Sequence, residues 1–491
     1  MICGHGLVRC REFLGWQGCS GIGLGRDAVG DADKGEYCRT WWPTALGLLF
    51  FSIPTVSAAT ELGYGLGYSA VHSNNMALSS TDPRADWLNV AKGKLAFQEN
   101  NLRNFSARVY SQLEYDDYQH QVFSNQTLFT LNSAATWMIK PQSLSWTAED
   151  YYGQVPIIPF ATITPNNIQN VNVFTTGPNV LVHVDPLNTL AFGARYDNFH
   201  AGVANNNSNR VGGFVGWLYQ YSPITVFSLN YHGEHTKYTQ NVAVSGYSRQ
   251  DLFLRMNTHL QDTAWIADLG GTWLNQRLNQ TGRGNVNGVY ARLLASHRLT
   301  ERSTVDVTAM SAITDTEDAI LSAEAVGGIA SGTTVGTDIY RQDSVSATYT
   351  YSRGYSTDSV NLFDQKLKYY TAPLDQQQTG ADVQLDYRLS GMLLGNIFGS
   401  YVRSRFYESS VINRIGQEGA GLTYEARPNI FLGLEGQVTR QRSNAAANSY
   451  SEKRIVLSIS YYSNFAFVNA GNVVPSLMEQ DNIARDIMYS R

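Results

Sequence analysis

The feature that most constrains this chain is a strict alternation of polar and apolar residues that recurs along most of its length. The segments that show it most clearly are 107–116, 226–235, 345–352, 381–389 and 455–461. A period of two indicates β-strands, because successive side chains of a strand point to opposite faces. One face of each segment is apolar enough to lie in lipid, and the other is polar.

The links between these segments alternate in length. The short links are 101–104, 139–142, 185–188, 221–223, 260–262, 299–302, 390–391 and 426–429, and the longer polar ones include 69–92, 153–178, 200–208, 275–287, 314–341 and 442–451. Tight turns at one rim and long loops at the other are typical of outer-membrane barrels, whose turns are periplasmic and whose loops are extracellular. Counting the segments between the links predicts about 18–20 strands. The count is a range because residues 354–378 are ambiguous.

The sequence therefore predicts an all-β fold, a transmembrane antiparallel up-and-down β-barrel. Strands of roughly 9 to 13 residues are long enough to cross a bilayer at a tilt. A spanning sheet must also pair its last strand with its first, since no water in the hydrocarbon layer satisfies a free edge. The alternative is a periplasmic sandwich, propeller or β-helix. The strand lengths, the alternation of links and the lack of a blade-length repeat oppose it.

Composition agrees with a membrane-embedded sheet. Charged residues make up 16% of the chain, against about a quarter in typical soluble proteins. The net charge of −5 and the isoelectric point near 6.0 oppose a nucleic-acid partner. The sequence contains no run of 18 apolar residues, so it predicts no transmembrane helix.

The beginning of the chain reads as a leader. A short apolar stretch at 45–53 precedes Val56-Ser57-Ala58, which is a signal-peptidase pattern. Residues before that stretch resemble no folded element, so either the translation start is assigned too early or the leader is unusually long. We predict a leader and signal peptide at 1–58, an outer-membrane barrel at 59–467 and a C-terminal tail at 468–491. Cleavage after residue 58 would remove all four cysteines, Cys3, Cys10, Cys19 and Cys38.

One local motif carries a family resemblance. The segment SAVHSNNMAL (69–78) follows the presumed first strand ELGYGLGY (61–68), and it resembles the strand and Asp-Asn or Asn-Asn element of the β-barrel porin-2 group. Asn74 and Asn75 occupy the positions of that element. The group includes outer-membrane barrels associated with exosortase/PEP-CTERM and exopolysaccharide loci. The resemblance implies passage or secretion of hydrophilic material, commonly polysaccharide. The chain departs from the usual barrel ending, since 24 residues follow the last alternating segment near 462–467.

Alternation also predicts which charged side chains face the lumen. The pore-lining candidates are Arg108, Glu114, Asp116, Glu234, Arg255, Arg292, Asp306, Asp382, Asp386, Arg388 and Glu435. Charges are costly in a dry interior, but a barrel of about 16 strands or more encloses water. For each residue the alternative is a pair with a neighbouring strand that only holds the wall together. Because both signs are present, we expect no strong ion selectivity.

The link 153–178 is unlike a solvated loop, because its centre is apolar. Ile157, Ile158 and Phe160 are the constriction-loop candidates. We expect this loop to fold inward and narrow the pore.

Nothing in the sequence singles out an active site. His232 and His235 flank Glu234, but on a strand the two histidines point to opposite faces and cannot bind one ion together. The acidic run Asp315, Glu317 and Asp318 is expected to be solvated, with Ca²⁺ binding as the alternative. We predict no enzyme, no metal and no cofactor.

The expected function is an outer-membrane channel that passes hydrophilic material and is linked to exopolysaccharide export or an exosortase system. The expected partners are outer-membrane lipid and lipopolysaccharide, with polysaccharide as a further candidate and no nucleic acid. The alternatives are a general diffusion porin, an outer-membrane hydrolase, and a structural or adhesin barrel that acts through its extracellular loops.

Overall fold

The computed structural model describes residues 60–464, apart from 102–103, 159, 204–206, 240–243, 279–281, 319–338 and 371. The predicted leader at 1–58 and the tail at 468–491 lie outside the described residues. Within the described part of the chain, none of the helices is long and apolar enough to cross a membrane.

Twenty strands make up nearly all of this structure. They are β1 (Thr60–Ser73), β2 (Asp86–Asn101), β3 (Phe105–Tyr118), β4 (Gln126–Lys140), β5 (Leu144–Pro156), β6 (Ile168–His183), β7 (Asn188–Ala201), β8 (Ser208–Ser222), β9 (Thr225–Tyr238), β10 (Val244–His259), β11 (Thr263–Leu278), β12 (Gly282–Thr300), β13 (Ser303–Thr314), β14 (Tyr340–Arg353), β15 (Ser356–Tyr369), β16 (Gln376–Arg388), β17 (Leu393–Phe406), β18 (Val411–Arg427), β19 (Ile430–Ser443) and β20 (Tyr450–Tyr462). Short 3₁₀ turns occupy Pro165–Asn167 and Ala446–Asn448.

Each strand pairs antiparallel with the next, and β20 pairs with β1. The closing pair runs from Gly65 opposite Tyr462 to Ser73 opposite Arg454. A Cβ atom at Gly65 would lie 2.6 Å from the ring of Tyr462, so a larger residue there would require that ring to move. The predicted closed antiparallel barrel is confirmed, with a strand number at the upper end of the expected range.

The two rims differ as the sequence predicts, but several link boundaries were wrong. The expected ambiguity at 354–378 resolves into a tight turn at Gly354 and Tyr355, then β15, a connection at 370–375, and β16. The predicted long link 275–287 is mostly strand, with only 279–281 between β11 and β12. The predicted loop 153–178 shrinks to 157–167, because the strands on either side continue into it.

The two faces of the sheet are chemically distinct. The outward face carries exposed apolar side chains in alternate positions, such as Leu62 and Leu66 on β1, which are 61% and 62% exposed. Such a surface is stable in lipid and not in water. On the inward face small and polar side chains predominate, including the buried Ser73.

Candidate pore and inward-folded loops

All eleven predicted pore-lining residues lie on the inward face of their strands. On β16, for example, Val383, Leu385 and Tyr387 are exposed on the outward face, and Asp382 and Asp386 occupy the alternate positions. The same alternation holds for the other members, which are Arg108, Glu114 and Asp116 on β3, Glu234 on β9, Arg255 on β10, Arg292 on β12, Asp306 on β13, Arg388 on β16 and Glu435 on β19. Their role in conduction stays a prediction.

Two of the arginines meet across an aspartate that sequence reasoning missed. Asp268 on β11 lies between Arg255 and Arg292 in the register of the sheet. The Nε atom of Arg255 is 2.8 Å from Asp268 Oδ1, and that of Arg292 is 2.9 Å from Oδ2. The carboxylate is buried, whereas the two guanidinium groups keep 24% and 19% of their surface exposed. This triad leaves one net positive charge on the wall.

Other candidates pair locally. Glu114 forms an ion pair with Lys92 on β2 at 2.9 Å, and Asp116 accepts a 2.9 Å hydrogen bond from Gln126. Asp382 and Asp386 accept hydrogen bonds from neighbouring amides. Within the described residues, seven of the eleven candidates form no ion pair, and four of these also form no side-chain hydrogen bond, namely Arg108, Asp306, Arg388 and Glu435.

A buried ionic cluster holds the start of the loop after β13 against a distant part of the wall. Arg210 on β8 contacts the carboxylates of Asp315 and Asp318, at 2.5 Å each, and that of Glu317 at 3.2 Å. Arg249 on β10 binds the second oxygen of Asp318 at 2.6 Å. We call these five residues the latch cluster. The expectation that the acidic run is solvated was wrong, because the wall supplies arginines that bury it.

The protonation of the latch acids follows from this burial. Desolvation raises the pKa of Glu317 well above its usual value, and the nearby Asp315 and Asp318 add to the effect against the opposing charge of Arg210. Burial would also raise the pKa of Asp318, but Arg210 and then Arg249 outweigh it and hold that pKa well below the usual range. The cluster therefore favours the ionised form of Asp318 and shifts Glu317 toward its protonated form.

The two histidines separate as the strand geometry requires. His232 faces inward, with its Nδ1 atom 3.6 Å from Asp251 and its Nε2 atom 4.0 Å from Glu234. His235 lies on the other face, where Nδ1 is 2.9 Å from the hydroxyl of Ser248. In the part of the chain that the structure describes, no group of three or more His, Cys, Asp or Glu residues is placed to hold a metal ion.

The loop 157–167 reaches across the barrel mouth to strands far along the sheet. The ring of Phe160 packs edge-on against Phe406 on β17, with 5.8 Å between the ring centres. Its carbonyl oxygen accepts hydrogen bonds from Asn413 on β18 at 3.2 Å and from Asn448 at 3.0 Å. Since Phe406 lies on a strand eleven places beyond β6, this contact bridges opposite parts of the wall.

Asn167 fixes the shape of this loop, and sequence reasoning did not identify it. Its side chain is buried, accepts a hydrogen bond from the backbone of Ile158 and donates to the carbonyls of Ile158 and Thr162. The backbone of Ile157 is bonded to the Asn167 carbonyl at 3.0 Å. Ile158 itself remains exposed. The three constriction candidates are thus held together in one tied loop.

The Asn-Asn element that suggested a family lies at the closing seam. Asn75 is 2% exposed, and its side-chain amide donates to the carbonyls of Ser79 and Ser451 at 2.8 and 3.0 Å. The side-chain oxygen of Asn74 accepts from the backbone of Lys453 at 2.7 Å. These contacts extend the pairing of β1 with β20 beyond Ser73.

Comparison with known proteins gives one family match, over the last part of the chain. Residues 377–462, which span the last five strands, match the family described as Putative beta-barrel porin 2. The match lies at the opposite end of the chain from the motif at 69–78. No curated protein matches this chain.

Several solved outer-membrane proteins are similar to this chain at low sequence identity. The FrpB iron transporter from Neisseria meningitidis is 10% identical, with a TM-score of 0.46 over 82% of this chain and 81% of that chain. A mutant of the ferric enterobactin receptor of Pseudomonas aeruginosa is 10% identical, with a TM-score of 0.44 over 82% and 80%. OccK2 of Pseudomonas aeruginosa, in complex with glucuronate, is 11% identical, with a TM-score of 0.36 over 82% and 98%.

A closed sheet with an apolar outer face and a polar inner face is the arrangement by which strands cross the outer membrane. The protein is therefore an outer-membrane β-barrel, and its last five strands match the family described as Putative beta-barrel porin 2.

Proposed function

We propose that this barrel is a channel that passes hydrophilic solutes across the outer membrane. The observation that carries the proposal is the polar, charged inner face of a closed ring of 20 strands. Barrels of 16–18 strands already enclose an aqueous channel, because side chains cannot fill so wide a ring. The proposal includes no catalytic step.

The loop 157–167 sets the width of the channel in this proposal. Its support is the contact of Phe160 with Phe406, together with the hydrogen bonds from Asn413 and Asn448 that hold the loop across the mouth. Solutes would have to pass beside this bridge. The latch cluster holds the start of a second loop, the one after β13, against the wall. Both loops lie at the rim opposite to the short turns.

Planar-bilayer recording of refolded residues 59–491 tests both statements. Replacing 158–166 by a short Gly-Ser linker leaves β5 and β6 intact, and we expect larger conductance steps than in the unmodified chain. A matched control replaces 120–124, in the loop after β3, with a Gly-Ser sequence of equal length. Unchanged conductance after the first replacement would remove the constriction role, and a barrel that is silent in both forms would contradict the channel.

The narrower version of the proposal is passage of polysaccharide for export, linked to an exopolysaccharide or exosortase system. Its support is the resemblance at 69–78 alone. An oligosaccharide series added to one chamber tests it, because chains that enter the lumen interrupt the current for times that grow with their length. If only small neutral and charged solutes pass, without such interruptions, the protein is a general diffusion porin.

A structural or adhesin barrel is the second candidate. Two observations favour it: the loop 157–167 bridges the mouth, and the loop after β13 begins in buried contacts with the inner wall. A barrel closed in this way would conduct poorly in every condition and would bind its partner through the remaining loops.

A further inference from the structure

The outward face of β17–β20 carries a group of cations near the rim opposite to the short turns. We call Arg403, Arg405, Arg414, Arg440, Arg442 and Lys453 the basic patch, and all six are exposed. On β17 these positions share a face with Ile397 and Tyr401, which are 59% and 49% exposed. Ser404 and Phe406, at the positions that alternate with Arg403 and Arg405, are buried on the inner side.

Strand register places like charges directly opposite each other. Arg403 on β17 faces Arg414 on β18, and Arg414 faces Arg442 on β19. Like charges in directly opposed positions destabilise a sheet. Among the described residues, the patch has a single ion pair, between Arg440 and Glu418 at 3.7 Å, and both of those side chains are mostly exposed. The protein itself therefore leaves the row of three arginines without counter-charge.

The position of the patch in the membrane identifies what it meets. Along β19 the outward residues change from Leu432 and Leu434 to Arg440 and Arg442, so the cations begin where the apolar band ends. With the short turns on the periplasmic side, this level is the headgroup region of the outer leaflet.

Other parts of the wall show that such a row of cations is not a general feature of that level. The outward positions near the same rim of β2, β6, β7 and β8 carry neutral amides, namely Asn89, Asn170, Asn198 and Asn209. Several of these amides bond to neighbours on the same face, as Asn209 does with Tyr196 and Asn198. Lys237 on β9 and Lys366 and Lys368 on β15 are also exposed near this rim, so the positive charge is concentrated on β17–β20 without being restricted to these strands.

We propose that the basic patch binds the phosphorylated sugar headgroup of lipopolysaccharide. Arginine presents a planar fork that matches phosphate oxygens in pairs, and a phosphate between Arg403, Arg414 and Arg442 would neutralise their repulsion. A second copy of the chain is a poor occupant, because a two-fold contact would bring this positive surface against itself. The site is independent of whether the barrel conducts.

The test uses the full barrel in lipopolysaccharide-free detergent, with deep-rough lipopolysaccharide as the probe. The variant R403Q/R414Q/R442Q removes the row, and R298Q/R302Q/R427Q removes three exposed arginines near the short-turn rim as a matched control. Native mass spectrometry and titration should show binding at least about tenfold weaker in the first variant and unchanged in the control. Dephosphorylated lipopolysaccharide should bind the unmodified barrel as weakly as the first variant binds the intact lipid.

Thermal unfolding separates loss of the site from loss of the fold. In detergent without lipopolysaccharide, the first variant should unfold at the same or a higher temperature than the unmodified barrel, because it lacks the opposed charges. Added lipopolysaccharide should raise the unfolding temperature of the unmodified barrel but not of the variant. Equal binding by the two, undiminished binding of the dephosphorylated lipid, or a lipid-free dimer that only the unmodified chain forms would overturn the proposal.

Discussion

The guanidinium group of Arg210 on β8 lies 2.5 Å from the carboxylate of Asp315, which is 105 residues later in the chain and follows β13. This contact links a loop to a wall segment five strands away. Both side chains are buried, so their separation would leave charges without partners in a site with little water.

Replacing Arg210 by Gln should release the latch. Breaking a buried pair by removing one partner costs about 3–5 kcal/mol, and the segment 315–318 can leave the wall more easily than β8 can unfold. Hydrogen–deuterium exchange should therefore become faster at 315–318 and stay unchanged in β8. Arg298, which is 60% exposed in its side chain, serves as the control when changed to Gln. Unchanged exchange at 315–318 would show that the latch depends on other contacts.

The latch should loosen as the pH rises. The pKa of Glu317 is raised in the folded protein, so its contribution is present at low pH and is lost when the pH passes through that raised value. The pKa of Asp318 is lowered, so its contribution persists above the usual aspartate range and is lost only in stronger acid. The protection factor at 315–318, which is the exchange rate of the unstructured chain divided by that of the folded protein at the same pH, should fall toward the alkaline end between about pH 4 and about pH 9. Glu317→Gln should abolish that alkaline change and leave the acid limb intact; an alkaline change that persists in the variant would assign it to another group.

Asp268→Asn should make the lumen more attractive to anions. The variant removes the carboxylate that lies between Arg255 and Arg292, at a cost of about 1–3 kcal/mol for a buried acceptor. In a salt gradient the reversal potential should shift in the direction of anion permeation. Asp262→Asn, at an exposed position in a short turn, should leave it unchanged. Equal reversal potentials for the three proteins would mean that the triad lies away from the ion path.

Asn75→Ala should weaken the closing seam. The variant loses two donated hydrogen bonds, to Ser79 and Ser451, and one accepted from the Ser79 backbone, and it leaves buried groups unsatisfied at about 1–3 kcal/mol. The folded barrel should lose its compact migration on a detergent gel at a lower temperature than the unmodified protein. Asn74→Ala removes one side-chain contact, with Lys453, and should have the smaller effect. The reverse order would contradict the role of Asn75.

Alternation was enough to predict the barrel and the inward face, because lipid on one side and water on the other impose it on every spanning residue. It failed at the strand ends. Beyond the hydrocarbon layer the outward residues Gln154 and Asn170 no longer need to be apolar, although the ladder between β5 and β6 continues through them. The alternation of polar and apolar residues therefore ends before the strands end. For this reason residues 153–156 and 168–178 were assigned to a loop.

The inward-folded loops were beyond the reach of this pattern for a different reason. A period of two tells which face Arg210 occupies, but it carries no information about which loop will return to that face. Asp268 was within reach, since it alternates with Ala267 and Leu269 on a strand that was itself predictable, and applying the pattern to β11 identifies it. The partners of Arg210 could be identified only from the three-dimensional structure.

The pairing of β1 with β20 has a consequence for the order of folding. Every other strand pair joins neighbours in sequence, so nineteen hairpin contacts can form while the chain is still open. Only the pairing of β1 with β20, from Gly65 opposite Tyr462, joins the two ends of the sheet. It connects residues separated by nearly the whole described chain. Since contacts at such sequence separation carry the largest loop-closure entropy and form slowly, ring closure should be the late, rate-limiting event of biogenesis, and an arrested intermediate should be an open, curved sheet with β1 and β20 as its free edges.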